Sequence, residues 1–205
     1  MRTRVAALIS GRGSNMAALL DAAAADDFPA EIALVVSNVA AAGGLALAAA
    51  RGVATATVPN RRDRLAHEQA VADTLDANGI EGVALCGYMR LLTPWFVARY
   101  AGRMLNIHPS LLPAFPGLHT HARALAAGCR IAGCTVHLVS DGMDEGPILG
   151  QAAVPVLAGD TERTLGARVL RAEHRLYPAT LAAHLRHAWT APGEDAMLAN
   201  PSPVT

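Results

Sequence analysis

Short apolar runs alternate with alanine-rich stretches through the first half of this chain, and that alternation leaves few ways to fold. Val5 to Ser10, Ile32 to Ser37, Thr55 to Val58 and Val83 to Cys86 read as strands. Between them, Asn15 to Ala25, Gly43 to Arg51 and Asp63 to Asn78 read as helices. The connections are short, so sequential strand–helix units on a parallel sheet are the natural assembly, an α/β fold. After a fifth strand, Met104 to Ile107, the pattern changes. Cys134 to Val139 and Ile148 to Val156 are candidate strands flanking an acidic loop. Asp160 is the expected cap of a long last helix, Thr161 to about Arg186, with the Tyr177–Pro178 step a candidate kink. The expected layout is one domain over 1–189, with halves at about 1–100 and 101–189. A tail, 190–205, is expected to be a surface extension or disordered.

Composition removes several classes of function. The 205 residues are 52% hydrophobic and 17% charged, which suits a globular domain. Apolar stretches are broken by Gly, Pro or charge before they reach a membrane span. Zero formal charge with no basic run argues against nucleic-acid binding. The start reads as a first core strand, not a signal peptide. Cys86, Cys129 and Cys134 include no Cys-x-x-Cys pair and fit reduced thiols, so the expected location is cytoplasmic. All 17 basic residues are arginine. Without lysine there is no Schiff-base amine for pyridoxal phosphate and no P-loop lysine for a nucleoside triphosphate.

The richest stretch is Leu105-Asn106-Ile107-His108-Pro109-Ser110-Leu111-Leu112-Pro113, followed by Pro116-Gly117-Leu118-His119-Thr120-His121. Residues two apart in a strand point to one side, so Asn106 and His108 should face one spot. An amide able to bond an oxygen, beside a group that titrates near neutrality, suits acyl-type transfer through a tetrahedral intermediate. The plainer alternative is a strand-end amide and a satisfied surface histidine. A metal centre is a rival: His119 and His121 are two apart, with His108, His137 and Cys134 as further ligands. The flanking Pro and Gly make that pair a loop, and spacing fixes no third ligand.

Gly11-Arg12-Gly13-Ser14-Asn15 joins the first strand to the first helix, where free N–H groups and the dipole favour an anion. The competing account is a tight turn with a serine cap. A dinucleotide would need an acidic residue at the end of the second strand, yet that strand ends Val36-Ser37-Asn38. A single phosphate fits better. Asp141-Gly142-Met143-Asp144-Glu145-Gly146 reads as a hairpin loop, Met89-Arg90-Leu91-Leu92 as a strand end able to line a flat heterocycle, and Glu173-His174 as part of the last helix.

Taken together, Ser10 to Asn15, Gly87 to Leu92, the Asn106–His108 run, Asp141 to Pro147, and Glu173-His174 with Tyr177-Pro178 resemble the glycinamide ribonucleotide formyltransferases of purine synthesis. The resemblance covers roughly Val5 to Leu185. It implies a Rossmann-like, mostly parallel twisted sheet with helices on both faces. It implies formyl transfer from 10-formyltetrahydrofolate as co-substrate to the amine of 5-phosphoribosylglycinamide, both small molecules, with no metal. Asn106, His108 and Asp144 take catalytic roles, Asp144 as the carboxylate partner of the imidazole. Gly13, Ser14 and Asn15 bind the ribonucleotide phosphate and its surroundings, and Glu173 contacts the glycinamide end. Met89, Arg90, Leu91, Leu92 and Asn106 line the folate pocket. Arg90 sits near the folate glutamate tail, with Arg64 the matching second cation in a register that Arg61 and Arg62 blur.

One departure stands out. Many members carry a basic residue just after the Leu-Pro step, where this chain has Ala114-Phe115-Pro116. Related tRNA formyltransferases add a C-terminal domain and formyltetrahydrofolate hydrolases an N-terminal one, and neither is expected in 205 residues. A catalytically silent folate- or nucleotide-binding protein is the alternative from another class. The expected state is monomer or homodimer.

Overall fold

The structure is a computed structural model that describes residues 2–187 and 189 and the backbone of 197 and 198. The elements run β1 (Thr3–Ile9), α1 (Ser14–Ala23), β2 (Ala30–Ser37), α2 (Gly43–Ala50), β3 (Ala54–Thr57), α3 (Arg64–Ala77) and β4 (Gly82–Leu85). They continue with α4 (Pro94–Arg99), β5 (Met104–His108), α5 (Thr120–Ala126), β6 (Ile131–Leu138), β7 (Ile148–Pro155), α6 (Glu162–Arg186) and β8 (Met197–Leu198). Val5 through Ile9 of β1 are all fully buried, the continuous apolar run of a strand covered on both faces.

One sheet runs through both halves in the order β3-β2-β1-β4-β5-β6-β7-β8. Pairing is parallel from β3 to β5, antiparallel at β5–β6 and β6–β7, and parallel at β7–β8. Two apolar cores lie on its two faces. One gathers Ile9, Leu19, Leu105 and Ile107 against Leu176, Tyr177 and Leu181 of α6. The other gathers Leu8, Val36 and Met104 against Leu75 of α3 and Phe96 of α4. The order reverses at β1, whose neighbours are β2 and β4, and a crevice at the C-terminal ends of such strands is the usual ligand site of an open α/β sheet.

Every strand expected from sequence is present, and the differences are local. α4 and α5 were not foreseen. α4 is a single short turn system set by Thr93, whose hydroxyl caps Phe96 N, and by Pro94 at the first helical position. The cap of α6 is Thr161, not Asp160. Thr161 and Thr164 form a reciprocal capping box, while Asp160 accepts two hydrogen bonds from Arg168, at 2.6 and 3.0 Å. That pairing, with the Leu157 amide, holds the Asp160 carboxyl far below its usual range. α6 continues through Pro178 without interruption. Most of the expected tail lies outside the described residues, but the backbone of Met197 and Leu198 adds a strand to β7 beside Gly150 and Gln151. No helix among the described residues is long and apolar enough to cross a membrane.

Candidate active site

β5 ends in the pair anticipated from sequence. Asn106 is half-buried and His108 is 6% exposed, both on the face opposite Leu105 and Ile107. The hairpin loop between β6 and β7 brings Asp144 to them. Asp144 Oδ2 lies 3.3 Å from His108 Nδ1 and accepts a hydrogen bond from the Gly117 amide at 2.9 Å. Asp144 itself adopts φ 57°, a left-handed conformation that Asp and Asn tolerate better than other side chains. Gly146 lets the same loop close, since a Cβ there would run into the Leu138 carbonyl. The contact between carboxylate and imidazole is direct.

The other nitrogen of His108 is also occupied. Nε2 lies 3.0 Å from the Phe115 carbonyl, which can only accept. With an acceptor at each nitrogen, the ring is held from both sides and its orientation is fixed. The loop carrying Phe115 is tied down by Thr135. Its hydroxyl donates to Ser110 O at 2.7 Å and accepts from Leu112 N at 3.0 Å, and Gln151 holds the Leu112 carbonyl at 2.8 Å. Arg123 stacks over the Phe115 ring at 5.4 Å and bonds the Pro116 carbonyl, so an arginine does stand beside the segment that lacks the basic residue.

Sequence reasoning weighed His137 only as a metal ligand. It lies opposite Asn106 in the antiparallel β5–β6 register, and its Nε2 is 3.1 Å from Asn106 Nδ2 and 3.7 Å from Asp144 Oδ1. Burial lowers its pKa, so at neutrality the contact with Asp144 is not an ion pair. Only the strand register, which the sequence does not print, puts it there.

The first-helix site lies beside Glu173. Gly13 at the N-cap of α1 has φ 72°, and no side chain among the described residues caps the helix, so the serine-cap account fails and the first-turn N–H groups are left without a side-chain cap there. Asn15 Nδ2 donates to Glu173 Oε2 at 2.7 Å, while Asn15 Oδ1 is buried without a partner. Glu173 is 6% exposed, and burial raises its pKa against the opposing pull of the Asn15 hydrogen bond. It is no solvated helix face.

The segment after β4 is anchored to the same loop. Ser10 N donates to Gly87 O at 3.2 Å, and Ser10 Oγ accepts from Met89 N at 2.8 Å. Ser10 Oγ also donates to Asn38, Asn38 donates to Asn60, and Asn60 accepts from the Arg90 guanidinium at 2.6 Å. Met89 and Leu91 stay 68% and 59% exposed, whereas Leu92 packs on the core. Such apolar exposure suits a flat ligand. Arg64 is exposed at the start of α3, with no partner among the described residues, whereas Arg90 is already held.

Residues 3–181 match the family described as formyl transferase. Phosphoribosylglycinamide formyltransferase of Escherichia coli K12 is 43% identical over 198 residues, covering 96% of this chain and 91% of that protein. The human trifunctional purine biosynthetic protein adenosine-3 is 44% identical over 182 residues, and there the matched region spans only 18% of the relative's length. The crystal structure of phosphoribosylglycinamide formyltransferase from Brucella melitensis superposes with a TM-score of 0.86 at 59% identity, covering 89% of this chain and 95% of that one. With a match across most of its length, the chain belongs to the formyl transferase family.

Proposed function

We propose that this chain transfers a formyl group from 10-formyltetrahydrofolate to the amine of 5-phosphoribosylglycinamide, in de novo purine synthesis. Full-length relatives bearing that name support the substrate pair. The observation that carries the mechanism is His108 flanked by Asp144 at 3.3 Å and the Phe115 carbonyl at 3.0 Å, an imidazole held at both nitrogens beside the Asn106 amide.

The amine attacks the formyl carbon, a C–N bond forms, and the carbonyl oxygen becomes an oxyanion. Asn106 and protonated His108 stabilise that oxygen. His108 then yields its Nε2 proton, released from the Phe115 carbonyl, to the folate nitrogen as the old C–N bond breaks, and the proton lost by the amine balances the exchange. Asp144 holds the imidazole in place. Gly13, Ser14 and Asn15 receive the phosphate, and Glu173 holds the glycinamide end. Met89, Leu91 and Leu92 flank the pterin, with Arg90 or Arg64 toward the glutamate tail.

The test is folate release from 10-formyltetrahydrofolate with glycinamide ribonucleotide, water or charged initiator tRNA as acceptor, without added metal or ATP. Release with glycinamide ribonucleotide alone supports the assignment. Release with water alone makes the protein a hydrolase, release with tRNA changes the acceptor, and none at all leaves a binding protein.

A further inference from the structure

His137 has one ring nitrogen whose proton the structure assigns. Nδ1 is 2.9 Å from the Leu138 carbonyl, which can only accept, so Nδ1 carries hydrogen. In the neutral ring Nε2 is then a bare acceptor, and it faces Asn106 Nδ2 at 3.1 Å. The amide therefore turns its NH2 toward His137, giving one hydrogen to the imidazole and keeping the second.

We propose that His137 is a positioning residue: as the neutral Nδ1–H tautomer it holds the Asn106 amide with its NH2 toward the developing oxyanion, and its protonation turns the amide over. A protonated Nε2 would meet Asn106 Nδ2 as donor against donor. The amide would rotate to offer Oδ1 instead, placing a carbonyl where the oxyanion needs a donor. The same Nε2–H would draw on Asp144 Oδ1, 3.7 Å away, and divide between two cations a carboxylate that otherwise serves His108.

The charged and titratable groups facing His137 are Asp144, from the loop after β6, and His108, from the end of β5. Asp144 and the Leu138 carbonyl favour protonation, while His108 and above all burial oppose it, so the neutral ring prevails at neutrality. The inference rests on the proposed role of Asn106, but its first test does not.

Nitrogen-15 spectra of the imidazole and of the Asn106 side-chain amide, the latter assigned by its absence in Asn106→Ala, read the arrangement without catalysis. The expected result is a pyridine-type Nε2 on His137 between about pH 6 and 8. The Asn106 amide signal should shift with the His137 midpoint on acidification and stay still in His137→Gln. A protonated Nε2 at neutrality, or an amide signal that ignores the titration, overturns the proposal. In kinetics, His137→Phe should lower kcat about tenfold, the scale of one lost hydrogen bond, with KM for both substrates little changed. His137→Gln, which keeps an acceptor near the Nε2 position and cannot be protonated, should recover most of that loss and flatten the acid limb. In an Asn106→Ala background His137→Phe should cost nothing further, and a loss that multiplies there also overturns the proposal. Absence of formyl transfer by the wild type would sink the assigned function while the spectra still decide the tautomer.

Discussion

Asn15 and Glu173 join the first turn of α1 to the middle of α6, through a 2.7 Å hydrogen bond from Nδ2 to Oε2. A carboxylate this buried is expensive to ionise, and its raised pKa records that cost. For a folded-state pKa above the unfolded value, the stabilising contribution is complete below the unfolded pKa, about 4.3, and is lost as pH rises through the folded one. Glu173→Gln keeps an acceptor for Asn15 but removes the charge. The variant should therefore melt higher than wild type at pH 7, by a few degrees if about 1 kcal/mol is recovered, with the gap closing as pH falls toward 4.3. Its KM for glycinamide ribonucleotide should rise by about tenfold, the loss of one charge-assisted contact. A gap in melting temperature that does not change with pH would contradict the account.

Asp144 and His108 should act as one unit. Asp144→Asn suits the left-handed backbone at φ 57° and can keep the Gly117 amide bond, so folding and substrate binding should survive. Losing the charge weakens the contact that holds the imidazole in place, so kcat should fall by about tenfold with KM for both substrates little changed. His108→Ala should lose on the order of 10²-fold at every pH. The double variant should be little worse than His108→Ala, because the carboxylate acts through the imidazole. Losses that multiply would refute the partnership.

Sequence periodicity located the strands because a parallel sheet buries both faces and writes Val5 to Ile9 and Val83 to Cys86 as unbroken apolar runs. Strand alternation likewise put Asn106 and His108 on one side. What stayed hidden depends on long-range register or on backbone atoms. His137 joins the site only through the β5–β6 pairing, and the partners at Phe115 and Gly117 are a carbonyl and an amide that every residue possesses. The α6 cap was misassigned because Asp160 and Thr161 are both good capping residues, and what decides between them is Arg168, two turns on, claiming the carboxylate. The Asn15–Glu173 contact spans 158 residues, a distance over which no local pattern speaks.

Gly11 and Gly13 divide the loop before α1 into a functional probe and a structural one. A Cβ on Gly13 would sit 3.0 Å from Met16 Cε and 3.1 Å from Gly44 Cα, on a backbone at φ 72°. Gly13→Ala should cost about 1–2 kcal/mol and lower the melting temperature by several degrees, confounding any binding result. A Cβ on Gly11 meets nothing within 4 Å. Gly11→Ala should fold like wild type and, if the phosphate approaches this backbone, weaken glycinamide ribonucleotide binding while sparing folate. Calorimetry of each ligand on the folded Gly11 variant checks this, and equal weakening of both ligands would move the phosphate elsewhere.

Tyr177 braces the floor of the site from below. Its hydroxyl, fully buried, lies 3.1 Å from the Leu85 carbonyl and 3.0 Å from the Leu105 carbonyl, bridging β4 and β5 from α6. Burial drives its pKa well above the usual tyrosine value, so it stays a neutral donor at any working pH. Tyr177→Phe keeps the ring but removes the one hydroxyl proton that the two buried carbonyls share, at a cost of about 1–3 kcal/mol. In a domain of this size that is roughly 2–4 °C of melting temperature per kcal/mol. Leu105 immediately precedes Asn106, so a floor loosened there should also lower kcat by a few-fold while leaving the KM values for both substrates nearly unchanged. Thermal melts and steady-state kinetics on the one variant test both halves. A melting temperature within a degree of wild type would show that the hydroxyl carries no structural weight, and an unchanged kcat on a destabilised protein would show that the strand ends do not need it to present Asn106.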